Sequence, residues 1–227
     1  MAKEKINDKE ALRQENLEET VSKTDQFYNE HKKTIWTVVC ALLVIALAVF
    51  AYVKLIYQPK CAEASQQAFP AEQSFEAGEF ELALNGDGNV LGLADVIKEY
   101  GSKAGAAVFM EAGECALQLG QFEEALNYFK KYKGKEPVLA ARAIACQGDA
   151  YAGLEQYQDA VAAYTKAAAK ADNVFAAGYL LKAGIMYEEL GNKDKALALY
   201  ETIKDKYPQS MEAYDIDKYI NRIKIAE

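Results

Sequence analysis

Apolar and polar positions divide the chain into three stretches. Residues 1–33 are charged, with sparse apolar positions at Leu12, Leu17, Val21 and Phe27. The next stretch, "TIWTVVCALLVIALAVFAYV" from Thr34 to Val53, runs 20 residues without a charge. At about 1.5 Å rise per residue it predicts a helix of roughly 30 Å, the thickness of a bilayer's hydrocarbon core. Trp36 near one end and Tyr52 and Tyr57 near the other suit the two interfaces, so residues 34–57 read as one transmembrane helix. A buried core helix is seldom so long and so apolar. A cleaved signal peptide fits poorly, because 33 residues precede the run, no A-x-A site follows it, and "QPKC" before Cys61 is a poor lipobox. From residue 60 onward, apolar positions recur at helical spacing.

Charge around the apolar run sets its expected direction. Lys23, Lys32 and Lys33 precede it, while Lys54 and Lys60 follow and no further basic residue comes until Lys98. That narrow excess of Lys places residues 1–33 in the cytoplasm and residues 60–227 on the far side. The tail "NDKEALRQENLEETVSKTDQFYNEHKK" reads either as a partly helical amphipathic segment near the membrane or as a solvated tail that sets topology.

The third stretch repeats itself. The segments "MEAGECALQLGQFEEALNYFKKY", "ACQGDAYAGLEQYQDAVAAYTKA" and "LKAGIMYEELGNKDKALALYETI" align without gaps. Gly113, Gly148 and Gly184 are spaced by 35 and 36, as are Ala125, Ala160 and Ala196. Four residues after each Ala comes Phe129, Tyr164 or Tyr200, and four before each Gly comes Phe109, Ile144 or Leu180. This is the tetratricopeptide (TPR) pattern: a large residue, a small Gly, a Tyr, then Ala-x3-aromatic and a closing Pro. The small residues would let helix A and helix B of one unit cross closely, and the aromatics would fill the gap toward the next unit. Pro137 and Pro208 are expected to end B helices, Ala116 replaces the usual Tyr, and Asp172 stands where the middle unit lacks its Pro. The expected fold is therefore all-α, a TPR helical-hairpin solenoid behind one N-terminal transmembrane helix. Regular repeats are expected at about 106–137, 141–172 and 177–208. A capping helix over 210–225, with Ser210 as N-cap and Met211, Tyr214, Ile220 and Ile223 inward, would cover the final apolar face.

An irregular first repeat, 60–102, precedes these. "SFEAGEFELAL" matches the turn of the later units, but about five extra residues enter its B helix, and "NGDGN" at 85–89 interrupts it. A calcium loop is the competing reading. It requires Gly at its sixth position and Glu at its twelfth, and counting from Asn85 those are Val90 and Val96.

The apolar span followed by "ALNGDGN…GLADVIKEYGSKAG" and regular repeats resembles the YfgM-type membrane-anchored TPR proteins of Gram-negative bacteria. The resemblance implies an inner-membrane protein with a periplasmic repeat domain, working beside the Sec translocon and a PpiD-like chaperone. "KYPQS" is also similar to closing segments of the BamD and CpoB envelope proteins, which serve outer-membrane or cell-wall assembly.

Composition narrows the chemistry. The net charge is −8, all of it beyond residue 59, which argues against nucleic acid as a partner. The chain has one His, in the first stretch, so Ser-His and Cys-His arrangements are excluded from the repeats. Cys40, Cys61, Cys115 and Cys146 show no CxxC spacing, and Cys115 and Cys146 are expected to be buried and inert. "NGDGN" lacks the Lys and Ser/Thr of a phosphate-binding loop. No catalytic, cofactor or metal site is expected, and the chain reads as a binding protein and not an enzyme. The expected partner surface is the helix-A groove: Met110, Glu114 and Leu117; Arg142, Ala145 and Asp149; Leu181, Ile185 and Glu188. Apolar positions with acidic edges suit an extended or unfolded segment carrying some positive charge. Glu114, Asp149 and Ile185 occupy places where carboxylate-clamp adaptors carry Asn, which disfavours that class.

Overall fold

The computed structural model describes residues 28–225, which divide between Gln58 and Pro59 into two compact units. The expectations for Leu12, Leu17, Val21 and Phe27 lie outside the described residues. In the first unit, helix α1 covers 28–52 and passes into a π turn at Val53–Tyr57. The helical run Tyr28–Glu76 is long and apolar enough to cross a membrane, and none of its most apolar window is buried. Trp36 Nε1 donates to Tyr28 Oη at 3.1 Å.

The second unit begins with α2 (Gln58–Glu76), α3 (Phe80–Asn85), α4 (Leu93–Tyr100) and a 3₁₀ turn at Gly101–Ala104. Three hairpins follow: α5 (Ala106–Gln118) with α6 (Phe122–Lys131), α7 (Pro137–Gly153) with α8 (Tyr157–Lys170), and α9 (Ala176–Glu189) with α10 (Lys193–Lys206). Helix α11 (Met211–Ile225) closes the unit. Each helix from α5 on packs against its chain neighbours, and α5 also touches α7 as α9 touches α11. That nearest-neighbour order is the mark of a stacked repeat.

Every A-to-B turn has the same construction. In α5, Gly120 N–H donates to Leu117 O and Gln121 N–H to Ala116 O; the pattern recurs at Glu155/Gln156 and Gly191/Asn192. These paired bonds satisfy the last carbonyls of helix A and require a left-handed residue just past its end. Gly120 and Gly191 meet that requirement with φ of 73° and 71°, whereas the middle unit places Glu155 there at φ 59°. Glu155 is the one non-glycine residue with positive φ among the described residues.

The helices of one hairpin cross where glycine meets a ring. A Cβ on Gly113 would lie 2.6 Å from Phe129, and one on Gly148 would lie 2.6 Å from Tyr164. Gly184 stands in the same relation to Tyr200. All three rings are buried. The aromatic of helix B thus seats on its own unit's helix A, and it also fills the gap toward the next unit as expected: Tyr164 shares a core cluster with Ala183 of α9, and the Tyr200 ring lies 5.3 Å from that of Tyr219 on α11. The middle of the core is built chiefly from small residues, Ala145, Ala160, Ala167 and Ala183 around Tyr164.

Other expectations are corrected by local chemistry. Pro137 does not end a B helix: α6 stops at Lys131, and Pro137 is the first residue of α7, where its missing N–H costs nothing. Glu136 caps that helix by accepting from Leu139 N–H at 2.6 Å, so the second regular repeat starts at Pro137 and not near 141. Ser210 Oγ accepts from Ala213 N–H at the start of α11. Met211 and Tyr214, expected inward, are both 85% exposed; Ile216, Ile220 and Ile223 form the buried face. In the insert, Gly86 and Leu91 form a single bridge, and Asp87 Oδ1 accepts from the N–H groups of Asn89 and Val90, both at 2.9 Å. Those bonds hold the Asp87 carboxyl below its ordinary range and close the turn.

Two substitutions test the geometry by thermal unfolding. Glu155→Gly removes left-handed strain and should stabilise the domain by about 0.5–1 kcal/mol. Gly148→Ala should destabilise it by about 1–3 kcal/mol even though alanine favours helix, because the Tyr164 ring has nowhere to move.

Candidate interaction groove

The nine positions expected to line a groove do not share one environment. Ala145 is 3% exposed and belongs to the core cluster that contains Tyr164, so it offers no surface. Met110 and Leu117 are partly buried against the first core cluster, and Leu181 against the last. Ile185 is partly exposed and packs on none of the core clusters.

The charged positions are brought together by pairing with each other or with neighbours. Arg142 on α7 meets Glu114 on α5 at 2.8 Å. Lys182 on α9 donates to Asp149 on α7 at 2.6 Å, and Arg222 on α11 to Glu188 on α9 at 2.5 Å. A ladder of ion pairs therefore joins each helix A to the next. Two of its carboxylates also hold the seated rings: Tyr164 Oη donates to Asp149 at 2.7 Å and Tyr200 Oη to Glu188 at 2.6 Å. Each exposed pair contributes only about 0.2–1 kcal/mol, while the part-buried tyrosine bonds to charged acceptors contribute about 1.5–3. Lys182 and Arg222 were not among the expected residues. They lie 33 and 34 positions after their acids, a spacing of nearly one repeat.

A second group of carboxylates lies where α2 meets α5. Glu111 is pushed up to about 7, first by burial and then by the charges of Glu72, Glu114 and Glu76. One of its carboxylate oxygens is buried without a hydrogen-bond partner. Glu72 is also raised, by burial and by Glu76. Cys115 and Cys146 thiols are pushed up to about 12, chiefly by burial, so both stay protonated at neutral pH and make poor nucleophiles. Cys115 is fully buried, Cys146 only partly. Among the described residues no group of three or more His, Cys, Asp or Glu side chains could hold a metal ion.

Glu111 gives a pH dependence of definite sign. Its folded pKa lies above the ordinary 4.5, so the fold favours the protonated form, and stability declines as pH rises from about 4.5 to about 7. Glu111→Gln should flatten that decline and raise stability at pH 8 by about 1–3 kcal/mol, measured by chemical denaturation across the pH range. Below pH 4.5 it should give no gain.

Comparison with known proteins agrees with the helical pairing. One tetratricopeptide repeat model matches residues 147–210 and a second matches residues 107–137. No curated protein matches the chain. A crystal structure of MamA matches with a TM-score of 0.51 and 21% identity, covering 68% of this chain and 92% of that one. A second structure of MamA matches at 0.53 and 20%, covering 73% and 87%. Likeness at that identity concerns the fold. The matched segments, the repeated turn and the ring seated on glycine together establish tetratricopeptide repeats within an all-α helical-hairpin fold.

Proposed function

We propose that this chain is a membrane-anchored interaction protein of the Gram-negative inner membrane, with its first residues in the cytoplasm and its repeats in the periplasm. It would serve protein export, beside translocon subunits and a PpiD-like chaperone, by receiving unfolded or extended segments. The observation that carries this reading is the pairing of protein-binding repeats with an apolar helix whose side chains have no protein to cover them. Leu42, Leu47, Phe50 and Leu55 are all more than half exposed, a state that lipid would relieve. The Lys excess before Thr34 and the likeness of "ALNGDGN…GLADVIKEYGSKAG" to the YfgM type favour the orientation and the setting.

The test is copurification from membranes solubilised in mild detergent. Translocon subunits should accompany the full chain, and outer-membrane or cell-wall assembly factors in their place would overturn the export role. Ile185→Asp should reduce the captured partner at least tenfold with the circular dichroism spectrum unchanged, because an apolar anchor would become a desolvated charge. Lys195→Glu on α10 should leave capture unaltered.

A further inference from the structure

The segment "YFKKYKGKEP" places Lys130, Lys131, Lys133 and Lys135 within six positions, in a chain whose net charge is −8. Helix α6 ends at Lys131, and Tyr132 turns the backbone into an extended link, so Lys133 leaves the helix beside its last turn. Lys130, Lys131 and Lys133 overhang a cavity of about 390 Å³ between the end of α6, helix α4 and the start of α5. Its floor is apolar, with Ile97, Ala106 and Phe109, and its rim is Lys130, Lys131 and Lys133. No Asp or Glu lines it, and the first turn of α5 has no acidic residue to offset the charge.

The rim is not neutralised from within the protein. Lys130 Nζ lies 5.3 Å over the Tyr151 ring, while Lys131 and Lys133 have no ion-pair partner among the described residues. The ladder cations Arg142, Lys182 and Arg222, by contrast, all meet carboxylates. Crowded like charges repel, and a partner carrying the opposite charge relieves that repulsion as it binds. A cavity of this volume lies within the roughly 300–1,000 Å³ typical of ligand pockets.

We propose that this cavity is a second docking site, for an acidic protein segment that inserts one large apolar side chain. The apolar side chain rests on Ile97 and Phe109, and flanking carboxylates meet Lys131 and Lys133. A short acidic segment suits the local charge, whereas a long polyanion would extend onto a chain whose net charge is −8. The site rests on the reading of the chain as an interaction protein, but it shares no residue with the helix-A groove.

The experiment is fluorescence anisotropy with the full chain in a neutral detergent. The probe is a fluorescein-labelled nonapeptide of Asp and Glu around one central Phe. Saturable binding is expected, weakened at least tenfold by Lys131→Glu combined with Lys133→Glu, and likewise by exchanging the probe's Phe for Ala. Ile185→Asp should leave the probe's binding unchanged, and the double Lys variant should leave partner copurification unchanged, so the two sites fail separately. Three results would overturn the proposal: no saturable binding, equal binding by the double variant, or equal binding of the Ala probe. A fourth would be displacement of the probe by monomeric dihexanoyl phosphatidylglycerol at lower concentration than by unlabelled peptide, which would make the cavity a lipid site.

Discussion

The repeat domain depends on one contact, made three times: a ring of helix B lying on a bare glycine of helix A. Glycine in a helix interior costs roughly 1 kcal/mol against alanine, so its presence at Gly113, Gly148 and Gly184 needs an opposing gain. The gain is close approach. A ring brought this near buries its full face, and two of the rings have a hydroxyl at the far edge. That hydroxyl reaches a carboxylate on helix A, Asp149 or Glu188, and the same carboxylate takes a cation from the next helix A. Packing within a unit and pairing between units therefore share an atom. Phe129 has no hydroxyl, and in its unit Glu114 meets Arg142 without a ring to support it.

How much of this was legible follows from the spacing of small and aromatic residues. Gly, Ala and ring at constant phase can be satisfied by one helical hairpin, so the three hairpins and their turns were readable from the chain. Pro137 was misread because proline signals both the end of one helix and the first turn of the next. Only the geometry of Tyr132 shows that α6 had already stopped. Met211 and Tyr214 were misread because hydrophobicity alone does not tell which side of a terminal helix is covered; Ile216, Ile220 and Ile223 supply a better-spaced stripe. Ala145 was assigned to the surface by phase, but a small residue beside a ring is more useful inside. The ladder was hidden for another reason. Lys182 and Arg222 lie nearly a whole repeat after their acids, and nothing local marks either as different from other cations on helices.

Glu155 and Glu111 show where the repeat departs from its own rule. Glu155 adopts the left-handed conformation because the two bonds closing the turn leave its backbone no alternative. Glu111 sits near three carboxylates, with Arg142 already engaged by Glu114. These like charges therefore repel one another beside the place where the irregular first unit, through α3 and α4, joins α5. In a repeat protein, stability is the sum of unit and interface terms. Repulsion at Glu111 therefore belongs to the interface of the first unit with α5, and the later units do not share it.

The ladder also decides what a partner on the helix-A face could gain. Each of its carboxylates already has a cation at 2.5 to 2.8 Å, so a partner's positive charge would have to displace one that is tethered in place. Exchange of one exposed pair for another yields little free energy, because both states have the same desolvation and similar Coulomb terms. Charge on that face would then act mainly on orientation and encounter. Affinity there has to come from apolar contact, and Ile185 is the apolar position not already consumed by the core clusters. The lysine-rimmed cavity presents the opposite balance. Lys131 and Lys133 pair with no carboxylate among the described residues, so an acidic partner gains their Coulomb attraction without breaking a pair there. The same domain therefore has one face whose charges stabilise the stack and one whose charges are available to a ligand.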